Sequence, residues 1–522
     1  MQKILVRSQL FSTFKSYFLI KNGLFGMALP KKLKILFVTS EVVPFVKTGG
    51  LADVSSALPQ KLLELGHEIR IVLPKYGAVD ERKFKIHEVV RLKDLVTNIG
   101  NKEVTFSLRS SFLVGSKARV QIYFLDNQEY FGKRHGLYSD QLSGKDFKDN
   151  DERFILLSKS VFELINKLGW VPDIIHCNDW QTSLIPVYLK TQYKNDEMLK
   201  GIKSLLTIHN INSQGIFPKS SFQKTCLPDV LNNEKGVLLD GKFNMLHAGL
   251  KYADAISTVS ETYAKELCKI PEASAGLKDD LGKRKKDFFG IVNGIDPLVW
   301  NPEKDKKITK KYTIKSLDKK LVNKEFIEEK FGFDYDENIP LIGMISRIDD
   351  NKGFDLLKKS FKELMKLDLR LVVLGTGEKK YHKFLEDMAM KHSDKFACYI
   401  GFDDDIAHQI EAGADMYLMP SKFEPCGLNQ MYSLVYGTIP IVRETGGLAD
   451  TVTNYNPSNK SGNGFIFKKY DEKELVKAIK NALKLYSDKK AWERLMKVGM
   501  KSNFTWLNSA KNYVNVYKKI LS

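Results

Sequence analysis

The chain of 522 residues is 43% hydrophobic and 28% charged, with a formal net charge of +19 and five cysteines. Its length implies two or three domains with ample core, and no apolar run reaches the ~18 residues of a membrane span. The cysteines (Cys177, Cys226, Cys268, Cys398, Cys426) form no Cys-x-x-Cys pair, which argues against a zinc site or disulfide framework, and the excess lysine is spread without a nucleic-acid-binding signature, so it reads as a solvated surface.

From Met1 to Ser40 there are seven Lys or Arg and no acidic residue. Residues 1–26 read either as a transit-like basic extension or as sequence ahead of a start at Met27, and they stand outside the fold argument. From Lys34, short β-branched runs alternate with segments of helical apolar spacing. The first strand candidates are Ile35–Thr39, Ile69–Leu73, Ile174–Cys177, Leu205–His209 and Ala255–Val259. Leu51, Val54, Leu58, Leu62 and Leu65 mark a helix ended by Gly66, with Pro59 expected to start or kink it. The alternation predicts βαβ units and a parallel sheet with helices on both faces. It repeats after a hinge placed near Phe288–Pro297, with strands at Leu341–Ile345, Leu369–Leu374, Cys398–Ile400, Met416–Met419, Ile439–Val442 and Phe465–Phe467. The last element, Phe504–Leu521, carries Trp506, Ala510, Tyr513, Val516, Tyr517 and Ile520 at helical spacing. The expectation is an α/β chain of two doubly wound lobes, 27–288 and 289–505, followed by a helix over 506–522. A ligand cleft belongs at the strand C-termini, between the lobes.

The hexapeptide Thr-Gly-Gly-Leu-Ala-Asp occurs twice, at Thr48–Asp53 and Thr445–Asp450. A chance repeat of that length has odds under about one in a hundred, so it asks for a structural reason. Each copy follows a strand-like run and leads toward an apolar-periodic segment, a turn whose backbone N–H groups can hold a phosphate. Lys47 adds a mobile positive charge to the first copy, where Gly49 and Gly50 let an anion come close. Asp179 and His209 each end a first-half strand. There a carboxylate can orient a hydroxyl, an imidazole can contact ligand, and Trp180 can offer a face to a sugar ring. Arg347 and Lys352 follow the first strand of the second half. A guanidinium offers two donors to phosphate oxygens and an ammonium a point charge, together able to neutralise a diphosphate leaving group. Asp403–Asp405 formally fits an Asp-x-Asp metal signature but precedes a helix start and reads as a cap. Glu424, ahead of Pro425-Cys426-Gly427, is placed to accept from sugar or ribose hydroxyls. Cys426 reads as a small buried hydrophobe rather than a nucleophile.

Taken in order, Lys47-Thr-Gly-Gly-Leu-Ala-Asp53, His209-Asn210 with Gln214-Gly215, Val292-Asn-Gly-Ile-Asp296, Ser346-Arg347 with Lys352-Gly353, Glu424-Pro-Cys-Gly-Leu428 and Thr445-Gly-Gly-Leu-Ala-Asp-Thr451 resemble the bacterial glycogen synthase and plant starch synthase family. The match runs from about Lys32 to Leu521. It implies the GT-B fold, two Rossmann-like lobes around an interlobe cleft. It also implies transfer of α-glucose, with retention, from a nucleoside diphosphate to the non-reducing 4-hydroxyl of an α-1,4-glucan. The carrier is usually ADP; these residues do not separate ADP from UDP, nor glycogen from starch as product.

Carried over position by position, Lys47 with Gly49 and Gly50 would lie by the donor's distal phosphate and sugar, with Asp53 supporting the loop. Arg347 and Lys352 would hold the diphosphate. Glu424, with the backbone of Cys426, Gly427 and Leu428, would hold the transferred glucose. His209 would contact that glucose near its reacting carbon, Asp179 would lie by the acceptor, and Asn293 would line the cleft close to the sugar. Thr445, Gly446 and Gly447 would border the phosphates. Tyr138, in a stretch that matches weakly, is the candidate to stack on base or sugar. One departure is Asn429, where the family commonly has Thr before Gln. ADP-glucose enters as co-substrate, and no cofactor, metal, nucleic acid or membrane partner is implied. The expected location is the cytoplasm, or a plastid or other organelle if residues 1–26 are a transit peptide.

Overall fold

The computed structural model describes residues 32–113 and 119–522; the expectation for residues 1–26 lies outside them. The first-lobe strands are β1 (Lys34–Val38), β2 (Glu68–Pro74), β3 (Leu95–Ile99), β4 (Lys102–Leu113), β5 (Val120–Asp126), β6 (Ile174–Asn178), β7 (Lys203–Ile208), β8 (Ile216–Phe217), β9 (Leu238–Leu239), β10 (Lys242–Asn244), β11 (Ala255–Thr258) and β12 (Phe288–Gly290). Nine form one sheet in the order β12-β11-β7-β6-β1-β2-β5-β4-β3, and β8, β10 and β9 form a small separate one. Ile35 to Val38 of β1 are fully enclosed, as expected of a strand covered on both faces.

The expected parallel sheet holds from β12 to β5, and the far edge departs from it. There β4 runs antiparallel to β5, and β3 antiparallel to β4. Ile99 pairs with Lys102, so the connection is the two-residue loop Gly100-Asn101, and Gly100 supplies the positive φ of 59° that such a hairpin turn requires. The first helix, α1 (Gly50–Glu64), does not start at Pro59 but nine residues before it and continues past it. Its stripe of Leu51, Val54, Leu58 and Leu62 is buried along the whole length. At about 1.5–3 kcal/mol per buried side chain, that burial outweighs the backbone bond a proline removes.

In the second lobe β13 (Leu341–Ile345), β14 (Arg370–Gly375), β15 (Phe396–Ile400), β16 (Met416–Met419), β17 (Ile439–Arg443) and β18 (Phe465–Phe467) lie in the order β15-β14-β13-β16-β17-β18, all parallel. The border expected after residue 288 falls after Gly290, because Phe288–Gly290 pairs with β11. The linker is then clamped to the second lobe by Trp300, whose indole stacks between His408 at 3.8 Å and Tyr432 at 3.9 Å.

Four further helices matter for the site: α2 (Glu261–Leu267), α3 (Asn429–Val435), α4 (Gly446–Thr451) and α5 (Trp506–Leu521). The last returns to the first lobe. Trp506, Ala510, Tyr513 and Tyr517 join its core, and the Tyr517 hydroxyl lies 2.7 Å from His176 Nδ1. The chain thus crosses between lobes twice, at 291–300 and near residue 504, where Ile295 N donates to Phe504 O at 2.8 Å. Among the described residues no helix is long and apolar enough to cross a membrane.

Candidate active site

Strand order decides where a site can form. In the first sheet the order reverses between β1 and β6, and in the second between β13 and β16. At such switch points the loops leaving neighbouring strands part in opposite directions and open a crevice. The loops that leave those strands are the ones the motifs occupy: 41–50 after β1, Asp179 after β6, 346–352 after β13 and 421–428 after β16.

On the second lobe a cavity of about 210 Å³ is lined by Ser346, Arg347, Lys352, Ser421, Glu424 and Gly427 among others. Lys352 Nζ donates to Glu424 Oε2 at 2.6 Å, and Ser421 Oγ donates to the same oxygen at 3.0 Å. Glu424 is only 4% exposed. Arg347 is 71% exposed and has a 3.4 Å contact with Asp349, so its guanidinium stands free to swing over the cavity. Asn429 also lines the cavity; its Nδ2 donates to Ile345 O and the Tyr417 hydroxyl and so ties α3 to β13. Gln430 donates to Cys426 O, Gly427 O and Thr451 Oγ1, fixing the 424–428 loop from behind. Cys426 is buried and its thiol is pushed up to about 12, which suits an inert packing residue.

On the first lobe the loop after β1 is organised by Glu41. Its carboxylate accepts from Thr48 N (2.5 Å), Thr48 Oγ1 (2.5 Å), Gly49 N (3.2 Å) and the Tyr138 hydroxyl (2.7 Å). Tyr138, the expected stacking residue, is half-buried and helps to hold this loop. Its hydroxyl is bound to Glu41 and Ser40, and its ring lies 6.0 Å from that of Phe154. Lys47 pairs with Asp53 at 2.8 Å. A Cβ added at Gly49 or Gly50 would meet nothing within 4 Å, so the fold itself does not demand glycine at either place.

Asp179 holds an unusual φ of +55°. Its Oδ1 accepts from His209 N at 2.7 Å and Asn210 N at 3.4 Å, so it shapes the loop after β7 instead of reaching outward. Burial pushes its carboxyl up to about 7. Burial likewise lowers His209 to about 3, keeping the imidazole neutral at ordinary pH. Asn178 Nδ2 donates to Val38 O, which leaves its Oδ1 to accept from His209 Nε2–H at 3.0 Å and frees His209 Nδ1 as an acceptor. Trp180 is buried, with Phe154 at 4.8 Å, and offers no open face to a sugar. Burial, then the charges of Glu266, Asp179 and Glu424, raise the Tyr263 phenol.

Asn293 adjoins the 424–428 loop, its backbone bonded to the Cys426 thiol. Asn293 is buried at the hinge, lining a separate cavity of about 340 Å³ with Asn503, Thr505 and Asn508, and its Oδ1 has no hydrogen-bond partner among the described residues. Thr445 and Gly446 do not face the Glu424 cavity. Glu266 of the first lobe accepts from Thr445 Oγ1 at 3.0 Å and Gly446 N at 3.1 Å. Gly447 packs behind Glu424, donating to its carbonyl at 3.1 Å. Asp403 caps the helix Asp404–Gly413 by accepting from Ile406 N, as its position before a helix suggested. Among the described residues no three His, Cys, Asp or Glu side chains gather as a metal site.

Glu41, Ser421 and Glu266 escaped the sequence reading. A carboxylate gives no local signal when its partners are seven residues away, as for Glu41, or 179 residues away, as for Glu266. Phe402 also escaped it. This ring is 86% exposed just beyond the C-terminal end of β15, and an aromatic left in water at a strand end was the available signal.

Residues 34–283 match the family described as starch synthase catalytic domain, and residues 323–497 match glycosyl transferases group 1. The chain is 40% identical over 492 residues to a glycogen synthase of Chlorobaculum parvum, covering 94% of this chain and 99% of that one. It is 41% identical over 490 residues to a glycogen synthase of Geotalea daltonii, with the same coverage. The catalytic domain of starch synthase IV from Arabidopsis thaliana, solved with ADP and acarbose bound, superposes with a TM-score of 0.83 at 29% identity, covering 94% of this chain and all of that one. A sucrose-phosphate synthase from Thermosynechococcus elongatus shares the fold at a TM-score of 0.55 and 14% identity. With two Rossmann-like lobes meeting across a cleft and these relatives along nearly its whole length, the chain belongs to the glycogen and starch synthase family of GT-B glycosyltransferases.

Proposed function

We propose that the enzyme transfers α-D-glucose from ADP-glucose to the non-reducing 4-hydroxyl of an α-1,4-glucan, with retention at the anomeric carbon. The observation that carries this reading is the Lys352–Glu424 pair inside the switch-point cavity of the second lobe. A lysine held by a buried glutamate beside an exposed arginine suits a sugar diphosphate: Glu424 takes sugar hydroxyls, while Lys352 and Arg347 meet the phosphates. The open space over Gly49 and Gly50, next to Lys47, suits the opposite side of the same ligand. The ADP and acarbose bound by the related starch synthase IV support a nucleoside diphosphate donor and a glucan acceptor here. Phe402 offers an exposed face on which a base can stack.

In this reading the acceptor oxygen forms its bond to the anomeric carbon on the face from which the diphosphate departs. The bond to the diphosphate oxygen breaks, and that oxygen takes the acceptor's proton. No enzyme group need accept the proton, so the protein's contribution is positioning and charge. Lys352 and Arg347 stabilise the growing charge on the leaving group. His209, neutral and with Nδ1 free to accept, orients a hydroxyl of the transferred glucose. Asp179 acts through the loop it shapes.

The test is incorporation of label from radiolabelled ADP-glucose or UDP-glucose into polymer, with and without glycogen. Glycogen-dependent incorporation from ADP-glucose, lost in Glu424→Ala, is expected. Incorporation from UDP-glucose alone overturns the donor, and none from either overturns the glucan synthase reading.

A further inference from the structure

The second Thr-Gly-Gly-Leu-Ala-Asp copy is engaged with the opposite lobe at both ends. At its start, Glu266 of α2 accepts from Thr445 Oγ1 and Gly446 N. At its finish, Asp450 accepts from Ser260 Oγ at 2.6 Å, Thr262 N at 3.1 Å and Thr262 Oγ1 at 2.5 Å. Each lobe thus gives one carboxylate to backbone and hydroxyl donors of the other. Arg443, whose charge favours the Glu266 carboxylate, also donates to Ser421 O at 2.8 Å.

This contact is joined to the proposed sugar site through very little material. Gly446 takes φ +44°, and a Cβ there would lie 1.9 Å from Glu424 O; at Gly447 it would lie 1.9 Å from Cys426 O. Gly447 N donates to Glu424 O and Pro425 O. At Gly446, the residue that contacts Glu266, and at the next residue, therefore, the chain presses directly on the loop that carries Glu424, with no side chain between to absorb a shift.

We propose that Glu266 and Asp450 are positioning residues: an interlobe carboxylate lock that sets the place of Glu424 according to how the lobes meet. The inference rests on the glucosyl-transfer reading and adds to it a first-lobe residue that acts on the second-lobe sugar site. Loss of the lock misplaces Glu424 and releases the Lys352 ammonium from it, while the loop after β13 that carries Arg347 and Lys352 keeps its place and both cations can still meet the diphosphate. Its signature is therefore a loss of turnover without a matching loss of nucleotide affinity.

The test uses the full chain carrying Glu266→Ala, Asp450→Ala, the pair together and Glu266→Gln. It measures kcat and donor KM at saturating glycogen, and ADP affinity by calorimetry. Expected are a fall in kcat of about 10- to 100-fold in each alanine variant, the scale of a small misplacement of reacting groups, and ADP affinity within about threefold of the parent. The double variant should be no worse than about the poorer single one, because both break one lock. Glu266→Gln should recover part of the loss, since its amide oxygen still accepts from Gly446 N. If an alanine variant fails to fold, Thr262→Val, which removes one hydroxyl contact to Asp450, should still lower kcat by about three- to tenfold. Parental kcat in folded variants overturns the lock, as does ADP affinity falling in step with kcat, or effects of the two alanines that multiply. A parent chain inactive on both nucleotide sugars refutes the glucosyl-transfer reading instead, and ADP binding then shows whether the nucleotide site survives.

Discussion

The two copies of Thr-Gly-Gly-Leu-Ala-Asp fold alike and are used differently. Both sit at a strand-to-helix turn, and in both a glutamate takes the hydroxyl and backbone N–H of the Thr-Gly step. In the first copy that glutamate is Glu41, seven residues upstream in the same lobe. In the second it is Glu266, from the opposite lobe. The closing aspartates differ in the same way: Asp53 turns back to Lys47, whereas Asp450 reaches across to Ser260 and Thr262. The glycines differ too. Around Gly49 and Gly50 there is open space, while Gly446 and Gly447 are jammed against Glu424 and Cys426. One motif thus makes a ligand-facing loop where its own lobe satisfies it, and a joint between lobes where the other lobe does.

The largest expected effect tests the lobe that the second copy supports. Lys352→Ala should lower kcat by roughly 10²–10³, the scale for losing a preorganised charge donor. Steady-state turnover near that of the parent would move leaving-group stabilisation away from the β13–β16 crevice. Glu41→Gln comes next. It weakens an acceptor that serves four donors around the first copy, so donor KM should rise by roughly tenfold with a smaller change in kcat. Set beside the Glu266 variants, this sharpens the contrast: the within-lobe glutamate should act on binding and the between-lobe one on turnover. If both change the same parameter, the distinction between the copies collapses.

The smallest effect concerns pH. Asp179, raised to about 7 by burial, gains a proton as pH falls through that value and then holds the His209 and Asn210 amides less strongly. kcat/KM should decline by a few-fold on that acid side, and Asp179→Asn should flatten the limb, as a pH–rate profile would show. The linked stability runs the opposite way. Between 3.8 and about 7 the native carboxyl keeps a proton that the unfolded chain has released, so this group's contribution to stability is present below 3.8 and lost as pH rises through about 7. His209, lowered to about 3, stays neutral in the native protein over this range, and its contribution to stability is present above the unfolded value of 6.5 and lost as pH falls toward about 3.

Much of this was legible in the residues. The strand runs from Ile35–Thr39 to Phe465–Phe467 fall on strands of the two sheets, because the central strands of a covered parallel sheet are apolar without interruption. Lys352 and Glu424 could be placed at strand ends because each follows an apolar run, while their meeting at 2.6 Å could not be read from the chain. The hairpin at Gly100 was legible in principle, as a Gly-Asn pair between alternating strands, and was overlooked in favour of the parallel pattern. Trp180 and Thr445 were misplaced for a common reason. Each is a residue type that ligands use, at a strand end or loop that ligands visit, and its true partner lies far away in sequence.

By itself, then, the sequence determined the two doubly wound lobes, the helical character of the last element and the chemistry gathered at the strand ends, since periodicity and short motifs act over a few residues and survive in one dimension. Only the tertiary structure decided which carboxylate answers which Thr-Gly step, that Asp179 faces inward, and that the second glycine loop is a joint. Those outcomes depend on which donors and acceptors two separately folded lobes bring within about 3 Å of each other, a distance that no spacing along the chain encodes.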